Sequence, residues 1–563
     1  MDEIVFSDMS RCEPASALGR ELKHGQWRLV DYQVEEFKGT MMFAGEETRA
    51  PQVRLKLGLE GLHALYLGID ASAFSTIRAR VKLSGDPCFQ ELERQECHPL
   101  ALEEVYFKHA DLTGQDLVIE QRPHEPGQIN ALAYLRCVAL SKEQAQALRA
   151  DRKRTDTRTL AVYNDGVGIF SDISPRTEEE IWEAIEPFRD SDAKIFVWGI
   201  STDHCFHPSR IGAVHGKDTD AFLTKGDRLA ADSVRALLEK DINPIKSAGA
   251  YAHRIGLEFH IYYRMQNFTC MPPYDQQMDQ RLLGKNPQWR CVHRDGRPLV
   301  HMSYAYEEVR QFVVSMLEEA AQWEADGMVL MYKRGAPFVM YEPPLVEGFK
   351  AQYGQDPREI DEFDERWLRY RCTPLTLFMR QVRQALDRVG HAAGKRLAVT
   401  ACSFATEAEN LYYGLDLPLW IKEGLVDYLA PMGIVHGCPE VDLSYYVRLV
   451  EGSPCRFYPM LPVLPGYVRF HTPELCLQSA REYFAGGAHG LSVWDCPTRP
   501  AVWGPVLKQI GHRARDNPAG SPPQSHHVHL QTLGHVDFRD GHIPADYQRI
   551  GKEWSLNYVW HAH

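Results

Sequence analysis

Apolar and polar positions change rhythm once along this chain, near residue 158. From about Gln26 to Leu140 the apolar residues alternate or cluster in short runs: Val53-Arg54-Leu55-Lys56-Leu57, Ile77-Arg78-Ala79-Arg80-Val81-Lys82-Leu83 and Leu117-Val118-Ile119-Glu120, separated by Gly, Pro and Asp turns. A period of two sends successive side chains to opposite faces of a sheet, so the region predicts an antiparallel β-sandwich. Its basic residues alternating with Leu and Val read as a solvated outer face, and no catalysis is assigned there. Ser141 to Arg158 is polar and charged and predicts a helix and linker.

After Arg158 apolar strands alternate with amphipathic helices, the pattern of β-α units around a parallel sheet. The strands are Leu160 to Asn164, Ile195 to Ile200, Leu257 to Tyr263, Gly327 to Tyr332, Arg396 to Ala401, Val426 to Pro431, Arg456 to Leu461 and Gly490 to Trp494. Helical stretches between them include Asp227 to Ala252, Tyr306 to Ala325, Pro374 to Ala393, Ser444 to Glu451 and Pro473 to Ala485. Eight such units predict an α/β fold, a (β/α)8 TIM barrel. An open doubly wound sheet is disfavoured, because no G-x-G-x-x-G follows the first strand and no P-loop is present. The expected division is a β-sandwich over 1–155, a barrel over 156–516, and a C-terminal extension over 517–563 that returns a strand or two to the sandwich.

Composition narrows the partners. The chain has 563 residues, 44% of them hydrophobic, and a net charge of −13. That length exceeds a single core, and the acidic balance argues against nucleic acid as a main partner. Met1 to Glu13 carries acids without an apolar core segment, and no apolar run reaches membrane-spanning length, so a cytoplasmic chain with no membrane partner is expected. Thirteen cysteines without a C-x-x-C pair suit free thiols better than a disulfide framework or a zinc site. No cofactor is expected, and homo-oligomerisation is left open.

In a barrel, chemistry sits at the C-terminal strand ends. Those ends supply Asp165, then Asp203, His204 and His207, then Arg264. The fourth supplies Tyr332, Lys333, Arg334, Tyr341 and Glu342; the fifth, Glu407 and Glu409; the sixth, His436; the eighth, Trp494 and Asp495. Paired carboxylates with aromatic side chains suit sugar chemistry, in which one carboxyl protonates a leaving oxygen while a second attacks or activates water. Glu342, with Asp495 or a fifth-strand glutamate as partner, is the expected catalytic acid. Asp165, Asp203, His204, Arg264, Tyr332, Arg334, Tyr341, Glu407 and Trp494 are expected to bind substrate. Asp326, at the N-terminal end of its strand, reads as a turn or cap residue. Glu258 and His260 read as a core or barrel-lining hydrogen-bonded pair rather than a ligand set.

Several motifs together resemble the glycosyl-hydrolase-like barrel proteins related to glycoside hydrolase family 10. They are Asn286-Pro287-Gln288-Trp289 with Asp295-Gly296, Tyr306-Glu307-Glu308-Val309-Arg310 before Asp326-Gly327, Tyr341-Glu342, Phe349 to Pro357, Phe378 to Arg383, and Gly490 to Asp495. The resemblance spans roughly Thr159 to His512 and implies a (β/α)8 fold acting on glycosides. Related barrels read Asp-Gly-x-x-x-Asp-Tyr-x-Arg on the fourth strand, and Met331 stands here where they place the second Asp. Methionine cannot be an acid, base or nucleophile. The segment Pro462-Val463-Leu464-Pro465 also lacks the glutamate that family 10 xylanases carry after the seventh strand. The expectation is therefore a glycoside hydrolase acting on an oligosaccharide or glycoside. The alternatives are a non-catalytic sugar-binding barrel, or a metal-dependent hydrolase or lyase using Asp203, His204 and His207.

Overall fold

The computed structural model describes residues 3–512 and 526–531, apart from 22, 35, 46–47, 71–76, 94–100, 123–128, 202, 218–221, 223, 267–281, 334, 434–439, 462–472 and 495–503. The N-terminal part is a mostly antiparallel β-domain, as the two-residue alternation predicts, with parallel strand pairing where Ile129 and Asn130 meet Ile77 and Arg78 and where Leu18 and Gly19 meet Trp27 and Arg28. Its strands fall into two groups, one ending on Ala101–Asp111 and the other beginning on Trp27–Val34. The strand His526–Gln531 lies between them: residues 526–529 pair with 101–104, and Leu530 and Gln531 pair with Val34 and Gln33. One core serves both groups, with Leu65, Leu67 and Leu135 from the first and Val30, Met42, Val81 and Leu117 from the second. The helix Lys142–Asp151 follows, begun by a capping box in which Ser141 and Gln144 satisfy each other's backbone N–H.

The second part is built on eight parallel strands: Leu160–Asn164, Ala193–Gly199, Glu258–Arg264, Gly327–Met331, Ala398–Cys402, Tyr428–Leu429, Arg456–Phe457 and Leu491–Val493. Each pairs with the next in chain order, and the eighth pairs with the first. The seventh and eighth meet through a parallel bridge between Met460 and Ser492, where Ser492 N donates to Pro459 O at 2.9 Å. The sheet thereby closes into a barrel. Leu160 and Val162 belong to the outer core under the helices, whereas Ala161 and Tyr163 belong to the inner core with Val197, Tyr262, Val329 and Met331. Alternate residues filling a packed interior are what barrel closure demands.

Two helices differ from the sequence expectation. The stretch expected as one helix over Asp227 to Ala252 is two, Lys225–Glu239 and Pro244–Arg254, because Asp241 turns left-handed at φ 57° and Asn243 caps a fresh start before Pro244. Conversely, Pro374 does not begin a helix but lies inside Glu365–Ala392. Proline removes the donor that would serve the carbonyl four residues back. Here the Thr373 hydroxyl donates to Tyr370 O at 2.7 Å in its place.

A buried ionic network ties the two parts. From the barrel side, Glu183 accepts from Arg80 at 2.7 Å and from Arg122 at 2.5 Å, both in the β-domain, and Arg122 also donates to Glu91 at 2.7 Å. A second tie closes the barrel's end onto its beginning: His512 contacts Asp192 at 2.9 Å and Asp151 at 3.1 Å, and Gly511 N donates to Asp192 at 2.8 Å.

Candidate active site at the barrel mouth

Strand alternation decides which side chains reach the mouth. On the first strand Ala161 and Tyr163 face inward, so Asp165 continues the inner face. By the same step Arg264 follows Tyr262 on the third strand, and Lys333 follows Met331 on the fourth. Asp165 is set by its turn. Asn164 Oδ1 accepts from Gly166 N at 2.8 Å, and Gly166 adopts φ 69° with its α-carbon against the Gly199 carbonyl, where a Cβ would collide. Only glycine meets both conditions.

Asp165, Tyr262 and Arg264 form one cluster. The Tyr262 hydroxyl donates to Asp165 Oδ1, Arg264 Nη2 donates to Oδ2, and Arg264 Nε donates to the Tyr262 oxygen at 3.2 Å. Every member orients another, and the Asp165 side chain keeps 26% of its surface exposed. The second cluster spans the fourth and fifth units. Lys333 Nζ lies 3.6 Å from Glu409 Oε1 and 5.0 Å from the centroid of the Phe404 ring. Glu409 is fixed by its own helix, Glu407–Tyr412, since its Oε2 accepts from Thr406 N at 3.2 Å in a capping box. Beneath the first cluster Trp494 packs on Tyr163 and Tyr262 at centroid distances of 5.7 and 5.6 Å.

The structure thus brings together Asp165, Arg264 and Trp494 among the expected residues, with Trp494 buried as part of the floor rather than offering an open face. It does not bring the others there. Tyr332 points outward: its hydroxyl donates to Met379 Sδ at 3.0 Å and its ring meets Trp420 at 5.6 Å, because the inner face of that strand belongs to Met331 and Lys333. Tyr341 is buried against Trp367 of the long helix at 5.1 Å. Glu407 is exposed at the first turn of its helix, and Glu409 is the glutamate that faces Lys333. Arg334, His436 and Asp495 lie outside the described residues.

Glu342 occupies a different setting from a solvent-facing acid. It caps the helix Pro343–Tyr353, has no exposed surface, and its carboxylate accepts from Met340 N at 2.8 and 3.0 Å and from Val292 N at 3.2 Å. Burial pushes its pKa up, and the amides of Met340 and Val292 oppose the rise. None of these partners belongs to the Asp165 or Glu409 cluster.

The Asp203, His204 and His207 group is dispersed. Asp203 lies near Tyr263, whose phenol is raised by burial and then by the Asp203 charge, and Tyr263 belongs to the core outside the barrel wall. His204 Nε2 is 2.7 Å from His215 Nδ1, and His215 Nε2 is 2.8 Å from the Asp227 carbonyl. A carbonyl only accepts, so His215 carries its proton on Nε2 and, when neutral, accepts from His204. His207 packs edge-on against Trp323 at 5.4 Å, and burial lowers its pKa to about 3. Among the described residues no group of three or more His, Cys, Asp or Glu side chains is placed to hold a metal ion.

At the opposite end of the barrel Asp326 has the structural role expected of it, whereas the expected Glu258–His260 hydrogen bond is not formed. Asp326 accepts from Phe259 N at 2.8 Å and contacts His253 and Lys395 at 2.6 Å each. His260 is fully buried, 3.6 Å from Glu258, and neither of its ring nitrogens has a hydrogen-bond partner among the described residues; Glu258 pairs with Lys194 at 3.3 Å. Tyr262 is absent from the expected mouth, and Lys333 and Glu409 stand at its strand ends without an assigned binding role, Glu409 only as one of two fifth-strand glutamates that could partner Glu342. The signal for the first two is the two-residue period, which puts Tyr262 with Arg264 and Lys333 with Met331 on one face.

No family model matches the chain, and no curated protein matches it by sequence. Among solved structures, it is similar to the catalytic domain of β-amylase from Paenibacillus polymyxa, with 9% identity over 63% of this chain and 98% of that one at a TM-score of 0.38. It is also similar to α-galactosidase from Thermus thermophilus, with 12% identity over 89% and 98% and a TM-score of 0.33, and to a chitinase from Chromobacterium violaceum, with 12% identity over 63% and 99% and a TM-score of 0.34. At such identities and TM-scores these likenesses carry no functional argument. The barrel assignment rests on the strand order and its closure.

Proposed function

We propose that the chain is a glycoside hydrolase whose substrate binds at the C-terminal mouth of the barrel, with Asp165 and Glu409 as the two carboxylates. The observation that carries this reading is the presence of two carboxylates at the C-terminal strand ends, each held beside a cation of another β-α unit: Asp165 beside Arg264, over the rings of Tyr262 and Trp494, and Glu409 beside Lys333. A carboxylate whose geometry is fixed by two donors, as Asp165 is, suits attack on an anomeric carbon or orientation of water. Glu409, with Oε2 committed to Thr406 and Oε1 toward Lys333, supplies the second carboxyl. Glu342 acts in this reading as an internal brace that joins the strand Arg290–Val292 to the following helix.

A second reading has its own observation. Met331 is fully buried in the inner core, in register with Arg264 on one side and Cys402 on the other. The position where related barrels place an acid is therefore apolar here, which favours a barrel that binds sugars without cutting them. A panel of p-nitrophenyl glycosides separates the two. Turnover that is lost in Asp165→Asn and Glu409→Gln supports hydrolysis, saturable glycan binding without turnover supports the second reading, and absence of both overturns the carbohydrate assignment.

A further inference from the structure

A cleft of about 510 Å3 opens where the β-domain meets the barrel, between the turn at Gly85 to Pro87, the strand Ala101–Asp111, residues 186–190, and Lys508 near the end of the barrel. Its charge balance runs against the rest of the molecule. Three of its cations are matched by carboxylates: Lys108 with Asp86 at 2.5 Å, Arg152 with Asp190 at 3.2 Å, and Arg189 with Glu186 at 2.9 Å. Two are not. Arg254 stacks its guanidinium 4.3 Å from the ring centroids of both Trp182 and Tyr251, and Lys508 reaches the cleft from the opposite wall; neither has a carboxylate partner among the described residues. His109, also in the wall, adds no charge, because burial, Lys508 and Arg152 together lower its pKa to about 3. The cleft is left with two positive charges in a chain of net charge −13.

We propose that this cleft is a binding site, separate from the barrel mouth, for a small ligand bearing a phosphate group, either free phosphate or a phosphate monoester, held by Arg254 and Lys508. A phosphate monoester carries a charge of about −1.5 to −2 at neutral pH and offers three strong acceptor oxygens, which matches two unneutralised cations. The two cations are complementary in kind. Arg254 is braced by aromatic rings and presents a planar donor fork, whereas Lys508 is a point charge on a flexible stem. Burial also pushes the Lys508 ammonium down to about 8, with Arg152 and Lys108 adding to the fall and Asp190 and Glu186 opposing it, so a dianion in the cleft would favour its charged form.

The test is isothermal titration of the full chain with sodium phosphate, with glycerol 3-phosphate, and with glycerol as the neutral control. The expected result is saturable one-to-one binding of at least one phosphate-bearing compound and none of glycerol. Tighter binding of phosphate assigns the free ion, and tighter binding of glycerol 3-phosphate assigns the ester. Lys508→Met and Arg254→Gln should each weaken that binding by about tenfold or more, while Asp165→Asn should leave it unchanged. No saturable heat with either compound up to about 10 mM, or variants that bind as well as the parent chain, would overturn the proposal. Should a variant fail to fold, the parent chain still decides. A rise in its melting temperature with phosphate no larger than with chloride at equal ionic strength also counts against the site.

Discussion

Replacing Glu183 with alanine probes the joint between the β-domain and the barrel. Glu183 is separated by 103 residues from Arg80 and by 61 from Arg122, so its two contacts are purely tertiary. The side chains of Glu183, Arg80 and Arg122 keep only 5%, 2% and 1% of their surface. Burial raises the Glu183 pKa, and the charges of Arg122 and Arg80 oppose the rise. Its ionised form is thus expensive on its own and tolerated because of the two guanidinium groups. Removing the carboxylate deletes two buried charge-assisted hydrogen bonds, worth roughly 1.5–3 kcal/mol each. Each arginine retains one carboxylate, Arg122 that of Glu91 at 2.7 Å and Arg80 that of Glu120 at 3.3 Å, so neither is wholly stranded. The expected loss is therefore about 3 kcal/mol, at the lower end of the 3–5 kcal/mol seen when a buried pair is broken. Urea unfolding followed by tryptophan fluorescence and far-ultraviolet circular dichroism should show an earlier first transition and separation of the two probes as the parts uncouple. Asp156→Ala is the control, since its pair with Arg154 is exposed at 71% and 45% and screened by solvent, so its removal should leave the midpoint nearly unchanged. A Glu183→Ala midpoint shift no larger than that of Asp156→Ala would refute the reasoning.

Three further outcomes are expected. Glu342→Gln should cost about 2–4 kcal/mol, because its amide NH2 would face the N–H of Met340 or Val292, while turnover per folded molecule stays near that of the parent chain; a stable variant with abolished turnover would restore Glu342 as the acid. Acid should destabilise the fold through His207 and His109. Both are held from their ordinary value of 6.5 down to about 3, so the unfolded chain binds protons first and stability falls as pH drops below 6.5. In His207→Leu, the unfolding free energy from urea titrations between pH 4 and 7 should fall less steeply as pH drops, by up to about 1.4 kcal/mol per pH unit. His512 works in the opposite sense, since its hydrogen bond to Asp192 raises its pKa. Its contribution is complete below 6.5 and is lost as pH rises through the raised value, so His512→Gln should flatten the alkaline side of the same profile.

The barrel was legible because each inner strand is a short apolar run bounded by polar turns, and no rival arrangement of eight such runs closes so readily. Its finer divisions were not. A run from Asp227 to Ala252 has a continuous helical period, and the left-handed backbone at Asp241 with the Asn243 cap before Pro244 breaks it. Pro374 signals a helix start by local rules, yet a neighbouring hydroxyl repairs the lost bond. Local periodicity does not register either event.

The candidate site was legible to the level of strand ends and no further. Asp165, Arg264 and Trp494 were found because they end inward-facing strands. Tyr332 was misplaced because adjacent residues at a strand end were counted together, although a step of one residue reverses the face. Glu342 was selected on its prolines, which do mark a helix start, but nothing in Tyr341-Glu342-Pro343-Pro344 shows that backbone amides from two separate segments close over the carboxylate. Choosing Glu409 over Glu407 needed the capping box to fix which glutamate turns toward Lys333.

The central claim is that the barrel mouth cleaves glycosides through Asp165. It is tested most directly by comparing kcat of the parent chain and Asp165→Asn on whichever p-nitrophenyl glycoside the parent turns over, with folding of the variant verified by circular dichroism. Loss of the carboxylate should lower kcat by about 10²-fold or more with substrate still bound. A folded Asp165→Asn variant with undiminished kcat would contradict the account.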